Sequence, residues 1–391
     1  MLSERELEKA IATITDRLDE VNAFFIKKVA AQIRQIGELG PTNINSIVTM
    51  IDMGADVLEI NTRLQEATGL NMQALFQIYQ AALDDVYTDR RFAVMLQANP
   101  NGETAQRAKE RLTQYVQTVA VQSAQAMQNL SNTTAVSDAY KQAVDRAVLA
   151  VSSGLTDYRA ATRQVVRELG YNGLQVYYAS GYHRRLDTAV RQNIVDATNQ
   201  IAQHGSDLMG EILGFDAVEI TAHPNSAPDH EPVQGQVFLR SEFDKMQAGQ
   251  DFEDVDGHRY SGFSRPIGEW NCGHLAMAFS TKHSIRRYSP EQLKEWREKN
   301  AQGCEIDGKQ LTTYQADQLM RQIETEVRRW KDAANAARIV GDMAERQHCQ
   351  QRINALAARY KKVADAAGLP TRKERMSVEG FKMVKVPKKD A

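Results

Sequence analysis

The sequence predicts a mainly α-helical protein with one small α+β domain set into it, and three observations carry that prediction. First, the prolines are bunched. After Pro41 and Pro100 none occurs before Pro224; Pro224, Pro228, Pro232 and Pro266 then crowd together, and after Pro290 the next is Pro370. Proline removes a backbone donor and breaks helices, so this pattern marks helix-rich flanks around an irregular middle. Second, apolar residues in the flanks recur at four- and three-residue steps, the period of a helix face. Third, past Gly214 the period drops to two, as in a strand.

In the first flank, Ser3 and Glu6 have the spacing of a capping box. Leu7, Ile11, Ile14, Leu18, Val21 and Phe25, continued by Val29, Ile33 and Ile36, form a narrow apolar seam that Gly37, Gly40 and Pro41 are expected to end. Helical patterns follow at 44–53, 57–67 and 72–92, then a turn at Asn99-Pro100-Asn101-Gly102, then longer helices near 104–130, 136–151, 157–169 and 184–213. Several carry alanine where a globular core would carry leucine, which predicts close approach to neighbours. Seams this narrow bury fully only against other helices, so a partner or further copies of the chain are expected. A self-contained bundle is the alternative.

The middle alternates polar and apolar residues over 216–222, which predicts a half-buried strand. Residues 236–239 and 275–279 are further strand candidates, and Asp256-Gly257-His258-Arg259-Tyr260 reads as a turn entering a short strand. The resulting α+β domain spans 171–288, with the helix at 184–213 packed on a small sheet.

After Tyr288 the pattern is helix and tail. A helix containing Trp296 begins after Ser289-Pro290, a favourable cap with proline in the first turn. Leu319, Ile323, Val327, Trp330, Ala334 and Ala337 form one stripe; Cys349, Ile353, Leu356, Tyr360, Val363 and Ala367 form another, with Gly341-Asp342 between. Two stripes joined at a glycine predict a helical hairpin. The domain reading is therefore 1–170 helical, 171–288 α+β, 289–370 helical hairpin and 371–391 a basic tail, expected to be solvated and flexible.

Composition narrows the function. With 48 Lys+Arg against 50 Asp+Glu in 391 residues, the chain does not hold polyanions through bulk charge. Cys272, Cys304 and Cys349 cannot form a closed disulfide set and suit synthesis in a reducing cytoplasm. No apolar run approaches the ~20 residues of a membrane helix, and the start, MLSERELEK, is charged where a secretory leader needs an apolar stretch. No GxxxxGK[ST] or GxGxxG loop is present to cradle phosphates.

Candidate chemistry lies in the middle. His223 and His230 flank a loop, and Cys272 and His274 follow some forty residues later. Imidazole and thiolate are the ligands zinc prefers, so these four are candidate metal ligands in a structural site. The obstacle is spacing: Cys-x-His puts its side chains on opposite faces of an extended strand, and both reach one ion only if the chain bends. In the metal-free alternative, the histidines and Asn271 pin loops, and Cys272 is a small buried apolar residue. Cys272, His230 and Asp229 also supply the residue types of a nucleophile, base and orienter, but the flanking sequence matches no nucleophile setting. No catalytic residue is assigned.

These residues also carry a resemblance. Arg184-Arg185-Leu186 through Val190-Arg191, then Glu219-Ile220-Thr221-Ala222-His223, then Pro228-Asp229-His230-Glu231-Pro232-Val233-Gln234-Gly235-Gln236-Val237-Phe238, and finally Gly268-Glu269-Trp270-Asn271-Cys272-Gly273-His274 resemble the tailed-phage minor capsid protein 2 family. That family is similar to the wider group of Mu F-like, SPP1-type head morphogenesis proteins. Its pattern reads approximately Ser-Ala-His, Pro-Ser-His, Gln-Gly-Lys-Val and Trp-Asn-Cys-Arg-His. Here Thr221, Asp229, Gln236 and Gly273 replace the first Ser, the second Ser, the Lys and the Arg. The last change removes a cation beside the cysteine.

The motifs lie within 171–288, the likeness extends to the hairpin at 312–367, and before residue 150 only helical character is shared. The resemblance implies a low-copy virion component of the phage head, made in the bacterial cytoplasm and placed in the head interior or at the portal vertex. It implies portal protein and other head proteins as partners, with packaged DNA nearby, and no catalytic activity. Asp229, His230, Gln234, Gly235, Trp270, Asn271, Cys272 and His274 are its structural signature.

Overall fold

The structure is a computed structural model. It describes residues 4–39, 43–69, 72–88, 102–132, 134, 136–152, 156–178, 180–268 and 272–386. In chain order its elements are α1 (Glu4–Leu39), α2 (Asn43–Gly69), α3 (Met72–Thr88), α4 (Gly102–Asn132), α5 (Val136–Ser152) and α6 (Tyr158–Asn172). A hairpin of β1 (Gln175–Tyr177) and β2 (His183–Arg185) leads into α7 (Leu186–Ile212). Next come β3 (Ala217–Ile220), β4 (Val237–Leu239), α8 (Arg240–Gln247), β5 (Phe252–Glu253), β6 (Arg259–Tyr260) and β7 (Ala276–Phe279). The chain continues through α9 (Pro290–Gln302), a hairpin of β8 (Cys304–Ile306) and β9 (Lys309–Leu311), α10 (Thr313–Ile339) and α11 (Met343–Ala367). The protein is mainly α with small antiparallel sheets, and none of its described helices is long and apolar enough to cross a membrane. Ser3, residues 89–92 and 99–101 of the expected cap, helix and turn, and the signature residues Trp270 and Asn271 lie outside the described residues.

Helix α1 buries the seam its spacing requires: Ile11, Ile14, Leu18, Val21, Phe25, Val29 and Ile33 are all buried. It passes through Gly37 to Leu39 instead of ending at the first glycine. The patterns at 44–53 and 57–67 likewise belong to one helix, α2, continuous through Gly54. A helical glycine costs only about 1 kcal/mol against alanine, which packing along a long helix outweighs. Helix α6, expected near 157–169, begins behind Asp157, whose side chain caps it by accepting from the Ala160 N–H at 2.8 Å.

A single apolar cluster runs from Ile11 in α1 through α2–α7 to Ala336 in α10, crossing the boundary drawn at residue 170. The crossing of α6 on α10 depends on small residues. A Cβ on Gly170 would lie 2.6 Å from Ala336 Cβ and 3.0 Å from Ala333 Cα. Gly170→Ala is therefore expected to destabilise by about 1–3 kcal/mol through overpacking, although alanine favours helix. A lowered urea midpoint checks this; an unchanged or raised midpoint would show that the two helices separate freely.

Strands β4, β3 and β7 form an antiparallel sheet in that order, with Val218 opposite both Phe238 and Ala278. The alternation at 216–222 predicted a half-buried strand, but all four residues of β3 are buried. The reason is tertiary: β3 is central and both its faces are covered. Val218 and Ile220 join Phe238, Met246, Phe252, Cys272 and Ala276 on one side. On the other, the Glu219 carboxylate accepts from the Arg287 N–H at 2.6 Å.

Strand β7 is an edge, and α7 caps it. Ala276 N–H donates to Gln203 Oε1 (2.7 Å), Gln203 Nε2 donates to Ala276 O (2.8 Å), and Ala278 N–H donates to Ser206 Oγ (2.7 Å). Asn199 Nδ2 donates to Cys272 O at 3.4 Å. Asn199, Gln203 and Ser206 stand four and three residues apart, so one polar helix stripe satisfies the edge that would otherwise be open.

Two findings correct the reading after Tyr288. The first is the β8–β9 hairpin between α9 and α10, turned by Asp307 and Gly308 at φ 52° and 75°. Two successive positive φ angles are what a tight hairpin turn needs, and Asp-Gly supplies them. The second is the tail, which is not simply solvated. Arg372 pairs with Asp317 and, at 3.3 Å, with Glu324; Arg375 pairs with Glu8 at 2.9 Å; and Arg372 N–H donates to Tyr360 Oη at 2.8 Å. Glu8, Asp317 and Glu324 are each 4% exposed or less. Buried carboxylates require cations, and the tail delivers two.

Candidate functional site

The β3–β4 connection is held out of regular structure by Pro224, Pro228 and Pro232 and turned back by Gly235 at φ +71°. Gly235 N–H donates to Ile220 O at 2.8 Å, and a Cβ there would strike Leu293 of α9 at 2.6 Å. The stretch before β7 is fastened to the same place. Leu275 N–H donates to Thr221 Oγ1, and Thr221 N–H donates to Leu275 O, both at 2.8 Å. The two histidine-bearing stretches, some forty residues apart in sequence, thus meet.

At their junction Cys272 Sγ lies 3.1 Å from His230 Nδ1 and 3.5 Å from His274 Nδ1. The chain bends here: the His274 N–H donates back to Cys272 Sγ at 3.4 Å, and β7 begins only at Ala276. That bend puts the two side chains of Cys-x-His on one side. The far nitrogen of each ring has its own partners. His230 Nε2 is 2.7 Å from Arg265 O; His274 Nε2 is 3.3 Å from Ser226 Oγ and 3.4 Å from Gln234 Oε1. His223 stands behind, its ring stacked on His274 at 4.5 Å and its Nδ1 3.2 Å from Asn225 Oδ1.

The surroundings are closed and neutral. Burial pushes His274 down to about 2, with His223 and His230 adding to the effect. Burial also lowers His230 and His223 and raises the Cys272 thiol. Asp229 is occupied by a fork from Arg265, at 2.9 and 2.7 Å, and stands 3.8 Å from His230 Nε2. The nucleophile–base–orienter arrangement is thus incomplete. His230 faces the sulfur, but its Nε2–H is donated to a backbone carbonyl, and Cys272 is 2% exposed.

Of the four candidate metal ligands, His230, Cys272 and His274 come together, while His223 is a stacking neighbour. Of the signature residues, Gln234 positions both stretches, since its Oε1 also accepts from the His223 N–H at 3.0 Å. Sequence reasoning missed Ser226, Arg265 and Asn300. Asn300 in α9 donates to Ser226 O (3.2 Å) and Glu231 Oε1 (2.7 Å) and accepts from Tyr314 N–H (2.9 Å), clasping the loop to α10. No local pattern marks such a residue; its partners lie far along the chain.

The family model of phage minor capsid protein 2 matches residues 2–363. The chain belongs to the phage minor capsid protein 2 family. The match covers nearly the whole chain, well beyond the motif stretch at 171–288, and so takes in the helical body, the sheet domain and the helical hairpin of this minor capsid protein. No curated protein and no solved structure matches it. As a minor capsid protein it is a structural protein of the phage head.

Proposed function

We propose that this minor capsid protein acts at the portal vertex, as a low-copy component that contacts the portal protein and other head proteins during head assembly, DNA packaging or ejection. The observation that supports this most is the extent of the family match, residues 2–363. Within those residues one apolar cluster runs from α1 through α7 to α10, with further clusters in the sheet and the hairpin, which supports reading the head role for the whole body. The role is structural, without catalysis. Cys272, the residue best suited by type to be a nucleophile, is sealed among His230, His274 and the sheet, where a substrate has no access. The near balance of 48 cationic and 50 anionic residues suits a protein that lies close to packaged DNA without condensing it.

Quantitative mass spectrometry of purified heads, with affinity capture on the portal protein, tests this reading. The expected outcome is a copy number of the order of the portal ring and co-purification with portal subunits. Heads that contain none of the protein, or that contain it at the abundance of the main shell subunit, would overturn it.

A further inference from the structure

We propose that His230 Nδ1, Cys272 Sγ and His274 Nδ1 bind one zinc ion, which ties the β3–β4 loop to the stretch before β7. The three atoms lie within 4.8 Å of one another, on side chains that are all buried. Their identity matches the nitrogen and sulfur donors that zinc prefers.

A carbonyl oxygen only accepts, so His230 Nε2, 2.7 Å from Arg265 O, carries a hydrogen and leaves Nδ1 a lone pair toward the sulfur. Gln234 Oε1 is fixed as an acceptor by the His223 N–H, and Ser226 Oγ at 3.3 Å can accept as well, so both meet His274 Nε2 as hydrogen-bond partners when it carries its hydrogen outward; in that tautomer the Nδ1 lone pair faces the sulfur too. Cys272 has a single S–H to offer two inward-facing lone pairs. With a proton in that tautomer, one buried ring nitrogen is left facing sulfur with nothing to accept. With a divalent cation in its place, the thiol proton leaves to solvent, and the thiolate and both imidazoles each donate a lone pair to the metal. Arg265 O, Gln234 and Ser226 then play the part usual for groups behind metal-bound histidines, holding each ring in one tautomer. His223 is not a ligand: Asn225 engages its Nδ1, and its ring lies flat against His274.

This inference is independent of where in the head the protein sits. Full-length protein purified without chelator is expected to carry about one zinc per chain by elemental analysis. Replacing that zinc with cobalt(II) is expected to give a thiolate-to-cobalt charge-transfer band. His223→Ala is expected to keep the metal, and Cys272→Ala to lose it. If Cys272→Ala does not fold, the metal content and cobalt spectrum of the unaltered chain decide. Protein that neither carries zinc as purified nor takes up stoichiometric zinc or cobalt would overturn the proposal. So would cobalt bound without the charge-transfer band, because the sulfur would then not be a ligand.

Discussion

Replacing Arg185 with alanine is expected to cost about 3–5 kcal/mol of stability, the range found when one partner of a buried ion pair is removed. Arg185 is 6% exposed and divides its guanidinium among three acceptors: Asp187 at 2.9 Å, Asp332 at 2.5 Å and Tyr171 O at 3.3 Å. Its removal leaves the Asp187, Asp332 and Asp19 carboxylates repelling one another without it, with Arg328 at 3.5 Å as a cation remaining beside Asp187. Burial pushes Asp332 up, whereas the Arg185 and Arg328 charges overcome burial and hold Asp187 down. The pair is therefore unequal, and Asp332 is the carboxylate that can be neutralised more cheaply. Asp332→Asn should cost less than Arg185→Ala, and the combination Arg185→Met with Asp332→Leu should recover much of the loss, since apolar isosteres remove the desolvation penalty. Denaturant midpoints of the three variants check this. A loss under about 1 kcal/mol for Arg185→Ala would mean that water solvates the carboxylates in place of the arginine.

Truncation after Pro370 is the second large effect expected, again about 3–5 kcal/mol. It deletes Arg372 and Arg375, which face Glu8, Asp317 and Glu324. It also deletes Arg375 O, which accepts from Arg328 Nη1 at 2.7 Å, and Val378, which is buried. The double change Arg372→Ala with Arg375→Ala should reproduce most of the loss while keeping the chain length. A truncated protein that melts with the intact one would show that the tail rests on the surface without stabilising it.

The truncation is the sharper test of sequence reading, because the tail is where composition misled. A run rich in lysine and arginine ordinarily stays solvated. What overrides that here is the set of acidic residues on α1 and α10 that no local pattern identifies as buried. The metal candidates show the same division. Residue types alone brought His223, His230, Cys272 and His274 forward, but the bend at 272–274 that brings three of them together is anchored through Cys272, Leu275 and Ala276 to Asn199, Thr221 and Gln203, about fifty to seventy residues away. By contrast, the β8–β9 hairpin was legible in principle: Asp307-Gly308 between two short runs is a strong turn signal. It was obscured because those runs are only three residues long and sit between two helices.

By itself, the sequence determined most of the long helices, the capped start at Ser289 and the chain's family kinship, because these depend on residues within a turn or two of one another or on short ordered motifs. Only the tertiary structure decided that β3 is buried on both faces, which charges pair in the interior, which ring nitrogens face Cys272, and where the tail goes. Each of those depends on the low dielectric and the unmet hydrogen-bonding demand created when distant segments exclude water together, a condition that exists nowhere along the chain until it has folded.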